Sequence, residues 1–257
     1  TRREPGARDV EINILYCGVC HSDIHQARDE WTGALFPMVP GHEIVGRVSR
    51  AGSAVTRLRE GQLVGVGCMV DSCRACGPCR QGTEQFCEQA PAWTYNGTEM
   101  DRVTPTFGGY STRIVVDERF VLSVPEGLDP AGAAPLLCAG ITTYSPLRQW
   151  GCQAGHRVAV VGLGGLGHVA VKLARAMGAE VTVLSTSRSK EADARRLGAT
   201  GFLPTRDADA LAAAAGRFDL VLDTVSAPHD YDALLGLLRP RGAMVVVGAP
   251  PEPTPVG

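Results

Sequence analysis

No run of about 18 uninterrupted apolar residues occurs anywhere in the sequence, which leaves no candidate membrane-spanning helix. An excess of charge of either sign is also lacking: 25 Lys and Arg stand against 27 Asp and Glu, a formal net charge of −2. A chain so balanced has no positive field to collect nucleic acid or anionic lipid. The opening residues 1–6, TRREPG, do not read as a secretory leader, and no internal repeat or low-complexity tract is present. Together these absences point to a cytoplasmic protein with a small-molecule partner, and to neither nucleic acid nor membrane. Hydrophobic residues make up 44% and charged residues 20% of 257 positions, enough for a real core and for about two domains.

Cysteine is the residue in surplus. There are nine, an odd number, and five of them (17, 20, 68, 138 and 152) lie scattered in a core-forming chain that needs no disulfide staples. In a reducing compartment these thiols stay free, and closely spaced free thiols form metal sites or redox pairs.

Up to about Pro125 the pattern is β-like runs broken by glycine, such as VEINILYC, EIVGRVSRAG and YSTRIVVDERFVLSVP. From about Leu128 strands alternate with helical stretches, which predicts a parallel α/β sheet. RVAVVG (157–162) reads as strand and 165–178 as helix. EVTVLS follows as strand, then a helix over 190–197, then strand, helix and strand in FDLVLDTV, YDALLGLLRP and AMVVVGAP. The expected fold class is α/β: a mostly β domain over 1–127 followed by a doubly wound dinucleotide-binding domain over 128–257. A six-stranded version of that sheet needs a further strand. The chain closes on GAPPEPTPVG and opens without Met, so it is read as partial, with an unstructured or cut-off tail after Gly248.

Four cysteines, Cys73, Cys76, Cys79 and Cys87, fall in the segment CRACGPCRQGTEQFC with C-x2-C-x2-C-x7-C spacing. Two-residue gaps let thiolates converge on one ion, and the longer gap lets the chain return with the fourth. Four sulfurs make a closed, tetrahedral and therefore structural zinc site. An iron–sulfur cluster is the main rival, but no proline follows the last cysteine. Zinc binding of about 10–16 kcal/mol rivals a domain's whole stability of about 5–15, so the ion decides whether this lobe folds.

The remaining candidates are CGVCHSDIH (17–25), GHE (41–43) and LLCAG (136–140). Two sulfurs and one imidazole leave a fourth zinc position open for chemistry. Spacing alone leaves open which of Cys17 and Cys20 is a ligand, and whether Cys138 joins it. A Cys17/Cys20 redox pair is the alternative, although that motif belongs beside a βαβ unit and here it follows a β run. His42 stands out from an ordinary core histidine through its Gly-His-Glu setting.

VVGLGGLGHVA places Gly162, Gly164 and Gly167 in G-x-G-x-x-G after a strand and at the opening of a helix, with Gly165 and Leu166 inside the loop. Gly162 permits the turn, Gly164 lets backbone approach a pyrophosphate, and Gly167 lets helix and strand pack closely. The end of the next strand carries an acid when the cofactor is NAD. This chain has Ser185, Thr186, Ser187, Arg188, Ser189 and Lys190 there, which suits the 2′-phosphate of NADP(H) instead. The plainer alternative is a solvated helix start, where Ser and Thr are also favoured.

CGVCHSD, VPGHEIVG, GGYS, LLCAGITTYSPL and VGLGGLGH, in this order, resemble the zinc-dependent medium-chain alcohol dehydrogenases, in particular the cinnamyl alcohol dehydrogenase branch with its bacterial NADP-dependent aldehyde reductases. The resemblance runs along essentially the whole chain. It implies a GroES-like catalytic domain with the structural zinc lobe at 73–87, followed by a Rossmann domain truncated before its last strand. It further implies that Cys20, His42 and Cys138 hold a catalytic zinc, with Glu43 beside them as an occasional ligand and Asp23 orienting His42. His21 would lie near the cofactor phosphates, and Ser22 with His25 would carry a proton between substrate oxygen and solvent. Thr142 would approach the nicotinamide, and Trp31 and Trp93 would wall an apolar substrate pocket. The implied cofactors are two zinc ions and NADP(H), the implied substrates small aldehydes or alcohols, and the implied assembly of a full-length parent a homodimer. Cys17, Cys68 and Cys152 receive no role.

Overall fold

A computed structural model describes residues 2–250 and 255–256. The expected unstructured tail falls largely on 251–254 and 257, outside the described residues. The chain divides into two compact units, 1–138 and 139–257.

The first unit is built on five antiparallel strands in the order β6-β1-β2-β3-β7. These are β1 (Asp9–Cys17), β2 (Ile44–Ala51), β3 (Leu63–Val66), β6 (Arg113–Asp117) and β7 (Leu122–Ser123). A separate two-stranded ribbon pairs β4 (Met69–Asp71) with β5 (Ala92–Trp93). Alternating β-branched residues explain the sheet: Val10, Ile12, Ile44, Val64, Ile114 and Val116 are all nearly inaccessible and form one core. Three short helices complete the unit, α1 (His21–Ala27), α2 (Gly77–Arg80) and α3 (Pro130–Ala133).

The change of pattern read at residue 128 does not coincide with the change of unit. Ala133 and Ala134 are buried with Val45 of β2, and Leu137 packs against the same cluster. Residues 128–138 therefore belong by packing to the first unit, and they deliver Cys138 to it.

The second unit is a parallel sheet in the order β10-β9-β8-β11-β12. Its strands are β8 (Arg157–Val161), β9 (Glu180–Ser185), β10 (Gly201–Pro204), β11 (Phe218–Asp223) and β12 (Leu238–Val246). Its helices are α4 (Ala139–Gln149), α5 (Gly165–Ala176), α6 (Glu191–Arg196), α7 (Ala208–Ala213) and α8 (Tyr231–Leu235). Both faces are covered, so the strands are continuous apolar runs. Val158 and Val160 lie in one core with Ala170, Val171 and Ala174 of α5, while Ala159 and Val161 lie in the other with Leu234 and Leu237. In order of appearance the strands run 3-2-1-4-5, and the order reverses between β8 and β11.

Candidate metal centres and dinucleotide site

Cys20 stands immediately before α1, His42 and Glu43 immediately before β2, and Cys138 after the turns that follow α3. Their ligand atoms all lie within 4.8 Å of one another. Cys20 Sγ and Cys138 Sγ are 3.8 Å apart, the separation of about 3.8 Å required for two sulfurs each about 2.3 Å from one tetrahedral zinc. Left to themselves these sulfurs oppose ionisation: Cys138 beside it and then burial push the Cys20 thiol up to about 12. A divalent cation relieves that conflict, so the donor set fits zinc.

Asp23 organises the cluster. Its Oδ1 lies 3.4 Å from His42 Nδ1 and accepts the Gly41 amide at 3.0 Å. Its Oδ2 accepts the Cys20 amide at 3.0 Å and the Tyr110 hydroxyl at 2.8 Å. Burial alone raises its pKa, but the bonds from His42, Cys20 and Tyr110 outweigh that and hold it down to about 2. With Nδ1 committed to Asp23, the imidazole offers Nε2 to a metal. Tyr95 stacks on the His42 ring at 5.7 Å. Gly18 is small for a reason, since a Cβ there would lie 1.9 Å from Glu43 Oε2. Cys17 packs at the end of β1 against Gly41 and Gly109 and is not among these ligand atoms.

On α1, Ser22 Oγ lies 3.5 Å from Cys20 Sγ. His25 is buried, its Nδ1 is bound to Glu30 Oε2, and its Nε2 is buried without a partner. Trp31 stacks on His25 at 4.6 Å, and the exposed His21 ring lies tilted to it at 4.7 Å. Trp93 is 45% exposed on β5. The sequence reading missed Glu30, Tyr95 and Tyr110. Glu30, five residues after His25, and Tyr110, inside the quoted GGYS motif, each offered a signal, whereas Tyr95 offered none.

Cys73, Cys76, Cys79 and Cys87 form the second cluster, with Cys73 Sγ and Cys79 Sγ 3.8 Å apart. The Ala75 and Cys76 amides donate to Cys73 Sγ at 3.5 and 3.4 Å and lower its pKa, and the Cys73 amide donates to Cys87 Sγ at 3.4 Å. These bonds favour thiolates, as a four-sulfur zinc site requires. Arg74, with a left-handed φ of 60°, ties the lobe to Asp71 and to Asp117 of β6.

In the second unit, Gly162 turns the chain at φ 87°, and a Cβ on Gly167 would lie 2.2 Å from the Gly162 carbonyl. Gly164 and Gly165 face open space at the N-terminus of α5, a cradle for a pyrophosphate; Leu166 follows on the first turn. Ser185 ends β9 and is buried, accepting the Ser187 amide at 3.3 Å, while Thr186 is exposed. Lys190 Nζ donates to the Leu163 carbonyl at 3.0 Å, so it stands directly over the glycine turn. Arg188 turns instead to Asp207, 3.2 Å away. Thr142 is half-buried on α4. Among the described residues no helix is long and apolar enough to cross a membrane.

Two family models match: an alcohol dehydrogenase GroES-like domain over residues 6–126 and a zinc-binding dehydrogenase domain over 165–257. The NADP-dependent alcohol dehydrogenase C 1 of Mycolicibacterium smegmatis is 55% identical over all of this chain and 73% of its own length. Aldehyde reductase YahK of Escherichia coli is 53% identical over 98% of this chain and 72% of its own. Among solved structures, a cinnamyl alcohol dehydrogenase of Sorghum bicolor superposes with a TM-score of 0.98 at 48% identity, over 100% of this chain and 73% of that one.

Proposed function

The chain belongs to the zinc-dependent alcohol dehydrogenases, and we propose that it reversibly reduces small aldehydes to primary alcohols with NADPH. It is an oxidoreductase of the branch that holds the cinnamyl alcohol dehydrogenases and NADP-dependent aldehyde reductases. The observation that carries the reading is the convergence of Cys20, His42 and Cys138, with Asp23 fixing the imidazole.

Cys20, His42 and Cys138 would hold a zinc ion, which would supply Lewis-acid polarisation of a carbonyl oxygen, and a bound nicotinamide would supply the hydride. The chain's own residues do the rest. Asp23 keeps His42 in one orientation and draws charge toward its Nδ1 side. Ser22 lies beside the metal-ligand sulfur, and His25, held at Nδ1 by Glu30, keeps Nε2 free to exchange a proton with the substrate side. Glu43 stands ready as an alternative oxygen donor. Cys73, Cys76, Cys79 and Cys87 would hold a second zinc, and four sulfur ligands would leave it a structural role.

Gly162–Gly167 takes the pyrophosphate. Ser185, Thr186 and Lys190 take the 2′-phosphate, with no acid at the end of β9 to repel it. None of the nine cysteines is paired in a disulfide, which suits a reducing compartment. The test is oxidation of NADPH and of NADH with an aromatic aldehyde such as cinnamaldehyde. Turnover with NADPH at least about tenfold above NADH supports the reading. Equal turnover removes the NADP(H) assignment, and none with either nucleotide removes the enzymatic one.

A further inference from the structure

Asp223 ends β11 with no exposed surface, in a strand whose other fully buried side chains are apolar. Its Oδ1 accepts the Val225 amide at 3.1 Å, and its Oδ2 lies 3.0 Å from His229 Nε2. The second ring nitrogen, Nδ1, lies 2.8 Å from the Ala227 carbonyl. A carbonyl oxygen only accepts, so Nδ1 carries hydrogen, and one further proton joins Nε2 to the carboxyl group whichever of the two holds it. The Asp223–His229 bond is therefore the same whichever of the two atoms holds the shared proton. Compared with packed apolar side chains, such a pair adds little net stability, so its gain lies in geometry.

The geometry it fixes is that of residues 224–226. Thr224 donates both its amide and its hydroxyl to the Val161 carbonyl, at 3.1 and 2.7 Å. The same segment abuts the glycine turn: a Cβ on Gly162 would lie 2.9 Å from Val225 Cγ2 and 3.1 Å from Thr224 Oγ1. On the far side, the Val247 and Gly248 amides donate to the Asp223 carbonyl, and the Ala249 amide to Ser226 Oγ. In a sheet of this order a ligand lies outside the carboxyl ends of the strands where the order reverses, here between β8 and β11. The adenosine ribose is read after β9, so β11 and residues 224–226 lie on the nicotinamide side.

We propose that Asp223 and His229 are positioning residues that brace residues 224–226 as the wall for the nicotinamide half of the dinucleotide. The inference rests on the NADP(H) reading above. His229, T-shaped to Tyr231 at 4.9 Å, keeps 21% of its side chain exposed, so it tolerates replacement better than buried Asp223.

The test measures Kd for NADPH and for adenosine 2′,5′-bisphosphate, which carries only the adenosine half, on the full chain. His229→Leu is expected to weaken NADPH about tenfold, the loss of one charge-assisted hydrogen bond, and to leave the bisphosphate unchanged. Asp223→Asn keeps an acceptor for Val225 and a donor for Nε2, and is expected to retain NADPH binding. Unchanged NADPH binding by His229→Leu, or equal loss of both ligands by His229→Leu and by a milder His229→Gln, overturns the proposal. A wild-type chain that binds neither ligand overturns the NADP(H) reading and this inference with it.

Discussion

Asp23 Oδ1 lies 3.4 Å from His42 Nδ1 while its other oxygen accepts the amide of Cys20, so one carboxylate orients two of the three candidate zinc ligands. Asp23→Ala is expected to weaken the catalytic zinc about 10- to 100-fold, as loss of such partners does elsewhere. The four-cysteine zinc stays bound. Competition against a chelator, read as zinc per chain, distinguishes the two sites.

Lys190 and Arg188 are near neighbours with different commitments. Lys190 reaches over the glycine turn to Leu163, whereas Arg188 is taken by Asp207. Lys190→Ala is therefore expected to raise KM for NADPH about tenfold and to leave NADH nearly unchanged. Arg188→Ala is expected to have the smaller effect on NADPH. Steady-state kinetics with both nucleotides decide between them, and the reverse ranking contradicts the assignment.

Acid sensitivity follows from Asp9. Burial pushes its pKa up, but the two bonds from Arg3 and the Gly6 amide outweigh it and hold the carboxyl below its ordinary range. A depressed folded pKa contributes stability above the unfolded value of about 3.9 and loses it as pH falls through the folded value. Asp9→Asn is expected to cost about 1 kcal/mol at pH 7, discounted because Arg3 is 30% exposed. The difference from wild type should vanish in acid. Denaturant unfolding at several pH values measures it, and a constant difference contradicts it.

The parts of the site legible in sequence are those whose chemistry is local. Cys73–Cys87 and Gly162–Gly167 each bring their groups together within one short segment, so spacing alone carries the geometry. Gly167 illustrates the point: its lack of a side chain answers a clash with Gly162 only five positions away. Where the sheet brings distant residues together, spacing is silent. Tyr110 lies in the GGYS motif, yet the spacing does not tell that it reaches Asp23 across 87 positions, and Tyr95, stacked on His42, carries no motif. The choice between Cys17 and Cys20 is likewise tertiary. Cys17 ends β1 packed on glycines, and Cys20 sits at the start of α1 facing Cys138. The β-to-α/β transition was legible as a change of period. The division of units was not, because residues 130–137 have helical character yet pack on β2.

The most direct measurement is zinc per chain, by elemental analysis, on the wild-type chain and on His42→Ala, with NADPH turnover measured on the same samples. Two zincs and turnover in the wild type, one zinc and no turnover in His42→Ala, is the expected result. A wild type with one zinc or none, or a His42→Ala chain that keeps both zinc and turnover, contradicts the assignment of Cys20, His42 and Cys138 as the catalytic centre.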